Sequence, residues 1–433
     1  MTPHHLRGAA VLAVVSSLAL SGCGGDDTAS GTGGPSGDIT VLTNRTDLVD
    51  TTFQDYVERF QEQYPDVDVE FEALTDYEGD TRIRLNSRDY GDVLLIPSSN
   101  VSPDQYPDFF EPLGTTDELG DTYRFVGDGS YDGTVYGLST FGSAMGYVFN
   151  RDVFEAAGVT EPPAGEEEYL DALQQVKDRT DAIPYYTNYA DGWPLDTLAG
   201  NLGNQQGPDV VPEMTSDPAP WTEGNDIYAM DGLLYDTVAR GLSEPDPTTT
   251  NWEESKNLLA TGQVGSMVLG SWAITQMQDA AEAAGEERDV IGFWPMPWQT
   301  DGAFRSVTAT DKLLAISRYS ENKEAARAWV DWFETESGYA ESQGAISPLQ
   351  DSQVPDTLKD FSDLGVEYVE LDPRPAGEES LVNDIANDAE ITLFGHEYRQ
   401  ELVDAARGAA DGDKQSIFDD LNRRWGQAVT AVR

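Results

Sequence analysis

Residues 39–97, ITVLTNRTDLVDTTFQDYVERFQEQYPDVDVEFEALTDYEGDTRIRLNSRDYGDVLLIP, alternate between strand and helix patterns. The runs ITVLT and VDVEFEAL are rich in β-branched residues, and DVLLIP is a continuous apolar run suited to a strand buried on both faces. Between the first two runs, Phe53, Tyr56 and Phe60 recur at helical spacing, and residues 77–85 form a second helical segment. The order strand–helix–strand–helix–strand predicts a mainly parallel sheet covered by helices.

The loops that follow these strands are predicted to line a binding cleft. Right-handed crossovers place the loops after Thr43, Leu74 and Ile96 along one edge, where open α/β sheets bind ligands. Five polar residues follow the first and third strands: Asn44, Asp47, Ser98, Ser99 and Asn100. The alternative is local capping, since Asp47 could cap the following helix and Ser98 and Ser99 a short turn.

The composition excludes several classes of function. The 433 residues carry 79 acidic and 26 basic side chains, a formal net charge of −53, so the surface repels nucleic acid and anionic headgroups. We expect this charge to serve solubility, and attraction of a cationic ligand such as a polyamine stays open. His396 is the one histidine beyond the first five residues, and no HExxH or CxxC spacing occurs. We therefore expect no metal, no cofactor and no catalytic residue.

The beginning of the chain has the pattern of a bacterial lipoprotein. A short basic start precedes an apolar run at residues 9–20, the length of a signal-peptide core rather than of a bilayer-spanning helix. Residues 20–23, Leu-Ser-Gly-Cys, resemble a lipobox, so residues 1–22 are predicted to be removed and Cys23 to carry a lipid. The alternative is an ordinary signal peptide with an incidental cysteine. Residues 23–37 would form a flexible linker that tethers the protein to the extracellular or periplasmic face of the cell membrane.

The strand–helix alternation continues along the rest of the chain. An Asp132-Gly133 turn between β-forming residues predicts a hairpin. A strand at residues 145–149 and a short helix follow. Further helices are predicted at residues 166–176, 194–202, 228–242, 252–259 and 323–333, with most of residues 383–432 helical as well. Further strands are predicted within residues 183–188, 266–272, 289–298 and 312–317.

Three segments resemble the family 1 extracellular solute-binding proteins, the class that includes maltodextrin-binding proteins. Residues 132–163, DGTVYGLSTFGSAMGYVFNRDVFEAAGVTEPP, are similar to that family's hairpin, aromatic-Asn pair and Pro pair. Residues 258–274, LLATGQVGSMVLGSWAI, are similar to the turn that feeds a strand ending in Gly-Ser-Trp. Residues 325–349, AARAWVDWFETESGYAESQGAISPL, are similar to a late pair of helices. Ser139 departs from the pattern, because the family often has proline there.

The resemblance implies an α/β, two-lobe fold of the periplasmic-binding-protein type II class, with a mainly parallel or mixed sheet flanked by helices in each lobe. The implied boundaries are residues 38–141 and 308–345 for the N-terminal lobe, and residues 142–307 and 346–433 for the C-terminal lobe. Crossovers are expected near Phe141, Val307 and Ala345. Such a protein acts as a monomer and closes on its ligand by hinge motion. The closed form is then recognised by the transmembrane permease subunits of an ABC importer.

Aromatic side chains at strand ends are the main candidates for ligand contact, because sugars present apolar ring faces. Trp272 follows the strand SMVLG through a Gly-Ser turn, and Trp193 follows the strand IPYYTN. We expect the ligand to be clamped between indole faces. Trp294 and Trp298 bracket two prolines in a predicted loop and are further candidates. The alternative for each is a position in the core.

Four further polar residues are expected at the cleft: Thr140, Asn188, Tyr189 and Ser271. Arg45 would suit an anionic ligand, although solvent exposure is its expected fate. Trp329, Trp332 and Phe333 have i, i+3, i+4 spacing and are predicted to lie in the core. Trp252 offers no positional argument.

The predicted function is a lipid-anchored solute-binding subunit of an ABC import system, which captures a mono- or oligosaccharide between two lobes and delivers it to the permease. One alternative keeps the fold and changes the solute to a polyamine or another non-sugar. A surface glycosidase, which needs two carboxylates about 5–9 Å apart, is the less favoured alternative. We expect no turnover, no nucleic-acid partner and membrane contact through the N-terminal lipid alone.

Overall fold

The strand and helix segments predicted from the sequence are present in the fold. The computed structural model describes residues 34–97, 101–375 and 377–433; Cys23 and the three candidates Ser98, Ser99 and Asn100 lie outside these ranges. The strands are β1 (Gly37–Thr43), β2 (Val67–Ala73), β3 (Val93–Leu95), β4 (Gly114–Thr115), β5 (Ser130–Tyr131), β6 (Thr134–Val135), β7 (Gly137–Ser139), β8 (Gly142–Asn150), β9 (Ile183–Tyr185), β10 (Val264–Gly270), β11 (Ile291–Trp294), β12 (Gln299–Thr300), β13 (Ala303–Thr310), β14 (Leu313–Ile316) and β15 (Glu367–Glu370).

The helices lie mostly between strands, as expected for an α/β fold. They are α1 (Thr52–Gln63), α2 (Tyr77–Leu85), α3 (Tyr106–Phe109), α4 (Thr116–Leu119), α5 (Arg151–Ala157), α6 (Glu166–Arg179), α7 (Val210–Met214), α8 (Asp226–Ala239), α9 (Trp252–Ala260), α10 (Ala273–Ala284), α11 (Lys323–Glu336), α12 (Tyr339–Ser342), α13 (Lys359–Leu364), α14 (Leu381–Asp388), α15 (Glu397–Ala406) and α16 (Lys414–Val432). Trp193–Asn201, predicted as an α-helix from residue 194, is a 3₁₀ segment instead, with Pro194 at its start.

The first sheet is mixed and has the strand order β2-β1-β3-β14-β7. Strand β1 pairs in parallel with both β2 and β3, which confirms the parallel arrangement predicted for residues 39–97. Strand β14 adds to β3 and β7 in antiparallel orientation. Helix α1 packs on this sheet through Phe53, Tyr56 and Phe60, which are buried because they share one helical face.

The second sheet is built around β8, all nine residues of which are buried. Its order is β12-β13-β8-β10-β9, with β11 pairing to β8 and β15 to β13. Gly146 permits the close approach of β11, because a β carbon there would lie 2.4 Å from the Trp294 carbonyl oxygen. A small third sheet contains the predicted hairpin, whose turn residues Asp132 and Gly133 both have positive φ, as a type I′ turn requires.

Each large sheet has its own hydrophobic core. The core of the five-stranded sheet combines residues from the first part of the chain with α11, and it contains Trp329, Trp332 and Phe333 as predicted. The seven-stranded sheet is covered by two clusters, one of which contains Trp221 and Trp425. Residues 35–433 nevertheless form one compact unit, so the two sheets are in close contact.

The chain passes between the two sheets at three places. It leaves the five-stranded sheet after β7 and enters the other at β8, through Thr140 and Phe141. It returns between β13 and β14, at Asp311 and Lys312, so the expected boundary at Val307 falls inside β13. The third crossover follows α12, where Ile346 pairs with Gly142. Within the described ranges, no helix combines the length and the apolar character needed to cross a bilayer.

Candidate functional site

Three half-buried tryptophans form one aromatic surface, here called the tryptophan platform: Trp193, Trp252 and Trp272. The ring centroids of Trp193 and Trp252 are 4.9 Å apart at an interplanar angle of 75°. Trp272 lies 5.7 Å from Trp193 and 5.8 Å from Trp252. The predicted meeting of Trp193 and Trp272 is therefore present, and Trp252 joins them.

The rings contact each other directly, which changes how a ligand could bind. A sugar held between two parallel rings needs about 7–8 Å between them, since carbon atoms pack at about 3.5–4.0 Å on each side. Trp193 and Trp272 are closer than this and tilted by 47°. The expected clamp between these two indole faces is not formed, and the three rings offer one continuous apolar surface instead.

Trp272 is placed by the end of strand β10. Ser271 follows the strand, and its hydroxyl oxygen accepts a hydrogen bond from the Ala144 N–H at 3.1 Å. Trp272 then precedes α10, and its indole lies over Gly270, where a β carbon would come within 2.6 Å of the ring. The ring packs against the core of the five-stranded sheet and also against a core cluster of the seven-stranded sheet. Trp272 therefore lies where the two sheets meet.

Trp193 is placed by a tight loop after β9, residues 186–193. Asn188 has φ of 54° and Gly192 φ of 75°, so the loop contains two residues in the left-handed region. The Asn188 amide donates to the Met267 sulfur at 3.1 Å, and the residue is 1% exposed. Its amide oxygen has no hydrogen-bond partner among the described residues. Asn188 is thus buried and holds the loop to strand β10 through Met267, and it does not present its amide to the solvent.

A hydrogen-bonded polar group follows the first strand of the five-stranded sheet. Arg45 donates two hydrogen bonds to the Asp47 carboxylate, at 2.9 and 2.7 Å. It also donates to the Tyr339 hydroxyl at 3.2 Å and to the Gln343 side chain at 2.5 Å. The Arg45 side chain is only 28% exposed, so the expectation that it is simply solvent-exposed is wrong. Contacts from α12, far along the chain, bury it.

Lys256 connects the two sides of the site. Its ammonium lies 5.5 Å from the centre of the Trp252 ring, a cation–π contact, and pairs with Glu253 at 2.8 Å. The pKa of Asp47 is below its ordinary value, chiefly because Arg45 donates hydrogen bonds to it, and Lys256 adds a smaller attraction. Asp47 follows strand β1 of the five-stranded sheet, whereas Lys256 lies in α9, which packs with β10 of the seven-stranded sheet. The site thus combines an apolar surface with fixed donors and acceptors, the pattern of a sugar-binding surface.

Of the remaining polar candidates, Thr140 and Tyr189 are engaged in the fold, whereas Asn44 is not buried. Asn44 is exposed beside Arg45. Thr140 is 5% exposed and donates to the Lys312 carbonyl oxygen at the crossover. Tyr189 turns its hydroxyl to Asp404, at 3.0 Å, on the side of α15. Ser98, Ser99 and Asn100 lie outside the described residues.

Trp294 and Trp298 lie in the core and not at the platform. Trp294 ends β11, is 7% exposed and lies against the Phe149 ring, with centroids 4.1 Å apart. Trp298 is 5% exposed, and its indole N–H donates to Glu166 at 3.0 Å. The two prolines between them follow a strand that pairs with buried β8, which explains the burial of both rings. We leave both out of the site.

Two acidic residues near the loop have raised pKa values for structural reasons. Burial raises the pKa of Glu244 to about 7, and this carboxyl accepts hydrogen bonds from the Thr187 N–H. Burial also raises the pKa of Asp196 to about 6, against the opposing effect of His396, whose ring nitrogen is 3.3 Å away. Glu244 contacts the loop directly through Thr187, and Asp196 contacts it through His396, whose ring packs against Gly192. Across the described residues, no group of three or more metal-ligating side chains comes together.

A cavity of about 150 Å³ lies behind Tyr339, between α11, α12 and two of the crossovers. Its lining includes Thr140, Glu334 and Ser347, and the platform tryptophans are not part of it. We place the site at the platform because aromatic rings, charged groups and strand ends converge there. Trp252 was the residue that the sequence did not single out, since its place depends on contacts of its ring with two distant tryptophans.

Comparison with known proteins identifies the family and the fold. Residues 46–340, more than half of the chain, match the family described as "Bacterial extracellular solute-binding protein". The chain spans about half the length, 48%, of curated binding proteins from Brucella abortus and Brucella suis, at 26% identity over 224 residues.

Two solved structures are similar over most of the chain. One is a binding protein of an ABC transporter from Bifidobacterium animalis subsp. lactis in complex with mannobiose, 29% identical, with a TM-score of 0.83. The other is a manno-oligosaccharide-specific solute-binding protein from the same organism in complex with mannotriose, 31% identical, with a TM-score of 0.81. In both cases 92% of this chain and 95% of the other chain are covered. The predicted two-lobe α/β fold is thereby confirmed.

Proposed function

Because the chain belongs to the bacterial extracellular solute-binding protein family, we propose that it captures an oligosaccharide on the tryptophan platform and delivers it to the permease of an ABC importer. The observation that carries the proposal is the mutual contact of Trp193, Trp252 and Trp272, with the Lys256 ammonium over the Trp252 ring. Apolar rings bind the faces of sugar units, and the charged groups bind their hydroxyls.

The size and type of ligand follow from the platform and from the relatives. Three adjoining rings can contact more than one sugar unit, which favours a short oligosaccharide over a monosaccharide. The two similar Bifidobacterium proteins were solved with mannobiose and mannotriose. A manno-oligosaccharide of two or three units is therefore the proposed ligand. The Asp47 and Glu253 carboxylates are already paired with Arg45 and Lys256, which disfavours a polyamine.

The proposed protein binds without changing its ligand. The family and the similar structures are binding proteins. The acidic groups nearest the platform are already engaged, since Asp47 pairs with Arg45 and Asp191 accepts a hydrogen bond from the Trp252 N–H at 2.8 Å. A carboxylate held ionised in this way is a poor general acid, and a glycosidase needs one. We propose one ligand per monomer and no hydrolysis.

The position of the protein in the cell completes the proposal. The family is extracellular, and Cys23 would carry the lipid that holds the body near its permease, with residues 23–37 as the linker. The two lobes would hinge about the three crossovers, with Thr140, Phe141, Asp311 and Lys312 in two of them. Membrane contact would be made by the lipid alone.

The test is a binding and turnover assay on the mature protein. Calorimetric titration with mannobiose, mannotriose, maltotriose and spermidine should show saturable 1:1 binding of a mannoside and no binding of spermidine. Prolonged incubation with mannotriose should release no new reducing ends. Saturable spermidine binding without sugar binding would reject the proposed ligand class, and new reducing ends would reject the assignment as a binding protein.

A further inference from the structure

Asp191 joins the two backbone segments that carry Trp193 and Trp252. Its side chain accepts a hydrogen bond from the Trp252 N–H at 2.8 Å, and its carbonyl oxygen accepts one from the Trp193 N–H at 2.9 Å. Trp252 is the first residue of α9, where backbone N–H groups have no partner inside the helix and a negative charge is favoured. One residue therefore sets the distance between two platform tryptophans.

The loop that contains Asp191 is also held from behind by α15. The Gln400 side chain donates to the Tyr189 carbonyl oxygen at 2.7 Å. The His396 ring lies directly against Gly192, where a β carbon would come within 2.5 Å of the imidazole. Gly192 also has a positive φ, a conformation that favours glycine, so a side chain at this position would be excluded both by the backbone and by the imidazole.

The neighbouring loop residues are fixed by further hydrogen bonds. The Ala190 N–H donates to the Thr250 hydroxyl at 2.8 Å, two residues before Trp252. The Thr187 N–H donates to the buried Glu244 carboxyl at 3.0 Å. The loop is thus anchored on one side to the segment that begins α9 and on the other to α15. Such anchoring lowers the entropy that ligand binding would otherwise have to overcome.

We propose that Asp191 is a positioning residue, which holds Trp193 and Trp252 in one fixed arrangement and so determines the affinity of the platform without contacting the ligand. Gln400 and His396 maintain this arrangement from the far side of the loop. The inference about affinity rests on the proposed function, whereas the inference about ring geometry does not. Asp191 acts through the rings because its carboxylate is already bound to the Trp252 N–H.

The test compares Asp191→Ala with Asp191→Asn, since the asparagine side chain keeps an oxygen that can accept the Trp252 N–H. Glu401→Ala, an exposed position on α15, is the matched control. Far-ultraviolet circular dichroism reports the exciton coupling of the touching indoles, thermal unfolding reports stability, and fluorescence titration with mannotriose reports affinity. Asp191→Ala should lose most of the exciton signal and bind mannotriose about tenfold more weakly. Asp191→Asn and Glu401→Ala should retain both properties.

The outcomes separate this inference from the proposed function. A full exciton signal and unchanged affinity in Asp191→Ala would overturn the positioning role. If the wild type binds no mannotriose and Asp191→Ala still loses the exciton signal, the positioning role is upheld and the proposed ligand is rejected. If Asp191→Ala unfolds below the assay temperature, Gln400→Met, which removes the bond to Tyr189, should reduce the exciton signal while Glu401→Ala does not. An unchanged signal in Gln400→Met would then overturn the inference.

Discussion

Replacement of Trp252 by alanine should weaken both the fold and ligand binding, because this ring supports the other two. Its contacts are the ring of Trp193 at 4.9 Å, the ring of Trp272 at 5.8 Å and the ammonium of Lys256 at 5.5 Å. Two aromatic pairs at about 0.5–1.5 kcal/mol each and one cation–π contact at about 0.5–1 kcal/mol amount to about 1.5–4 kcal/mol of unfolding free energy.

The expected effect on binding is calculated separately from the area that a ligand covers. If a sugar unit covers about 60 Å² of the Trp252 indole face, removal of the indole weakens binding by about 1.5 kcal/mol, or about tenfold in Kd. Urea unfolding measures the loss of unfolding free energy, and titration with mannotriose measures the loss of affinity. Trp252→Phe is the matched control. Because it keeps an aromatic ring, it should show only about half of the loss in stability and half of the loss in binding free energy. Equal stability and equal affinity of Trp252→Ala and the wild type would refute the role of this residue.

Three other predictions concern charge and anchoring. Arg399→Met should cost about 3 kcal/mol of unfolding free energy in urea, because it leaves the fully buried Asp231 carboxylate without the cation that donates to it at 3.1 Å; Asp231→Asn in the same chain should restore most of it, and no restoration would contradict the pairing. Burial raises the pKa of Glu334 well above its ordinary value, and neither carboxyl oxygen has a hydrogen-bond partner among the described residues. The contribution of Glu334 to stability is therefore present at low pH and is lost as pH rises through the folded-state pKa. Glu334→Gln should therefore unfold at higher urea than the wild type at about pH 8, with the gain absent at about pH 4, and a gain of equal size at both pH values would refute this. Cys23→Ser should shift the protein from the membrane fraction to the medium and remove the lipid mass from its N-terminal peptide, and continued membrane attachment would contradict the tether.

Local patterns in the sequence predicted much of the fold. Helix α2 has the predicted bounds, because Asp76 caps its first turn and its buried residues, Tyr77, Thr81 and Leu85, recur every four positions. The Asp132-Gly133 hairpin follows from turn residues that adopt positive φ. The core position of Trp329 follows from i, i+3, i+4 spacing on one amphipathic helix. In each case the information lies within a few consecutive residues.

The candidate site was predicted only in part, because it depends on contacts between distant segments. Trp193 and Trp272 stand at strand ends, which the strand pattern reveals. Trp252 joins them only through the packing of α9 beside the loop after β9. Trp298 looked like a loop residue beside proline, yet its indole N–H bonds to Glu166, 132 residues away. Arg45 similarly owes its burial to Tyr339 and Gln343, nearly three hundred residues later.

The most direct test of the central claim is a calorimetric titration of mannotriose into the wild type and into Trp272→Ala. Trp272 packs against cores of both sheets, so its ring is the part of the platform closest to their junction. We predict one mannotriose bound per wild-type chain and binding at least about thirtyfold weaker in the variant, as for a central aromatic contact worth about 2 kcal/mol. Wild-type protein that binds no sugar, or a variant that binds mannotriose as tightly as the wild type, would contradict the account.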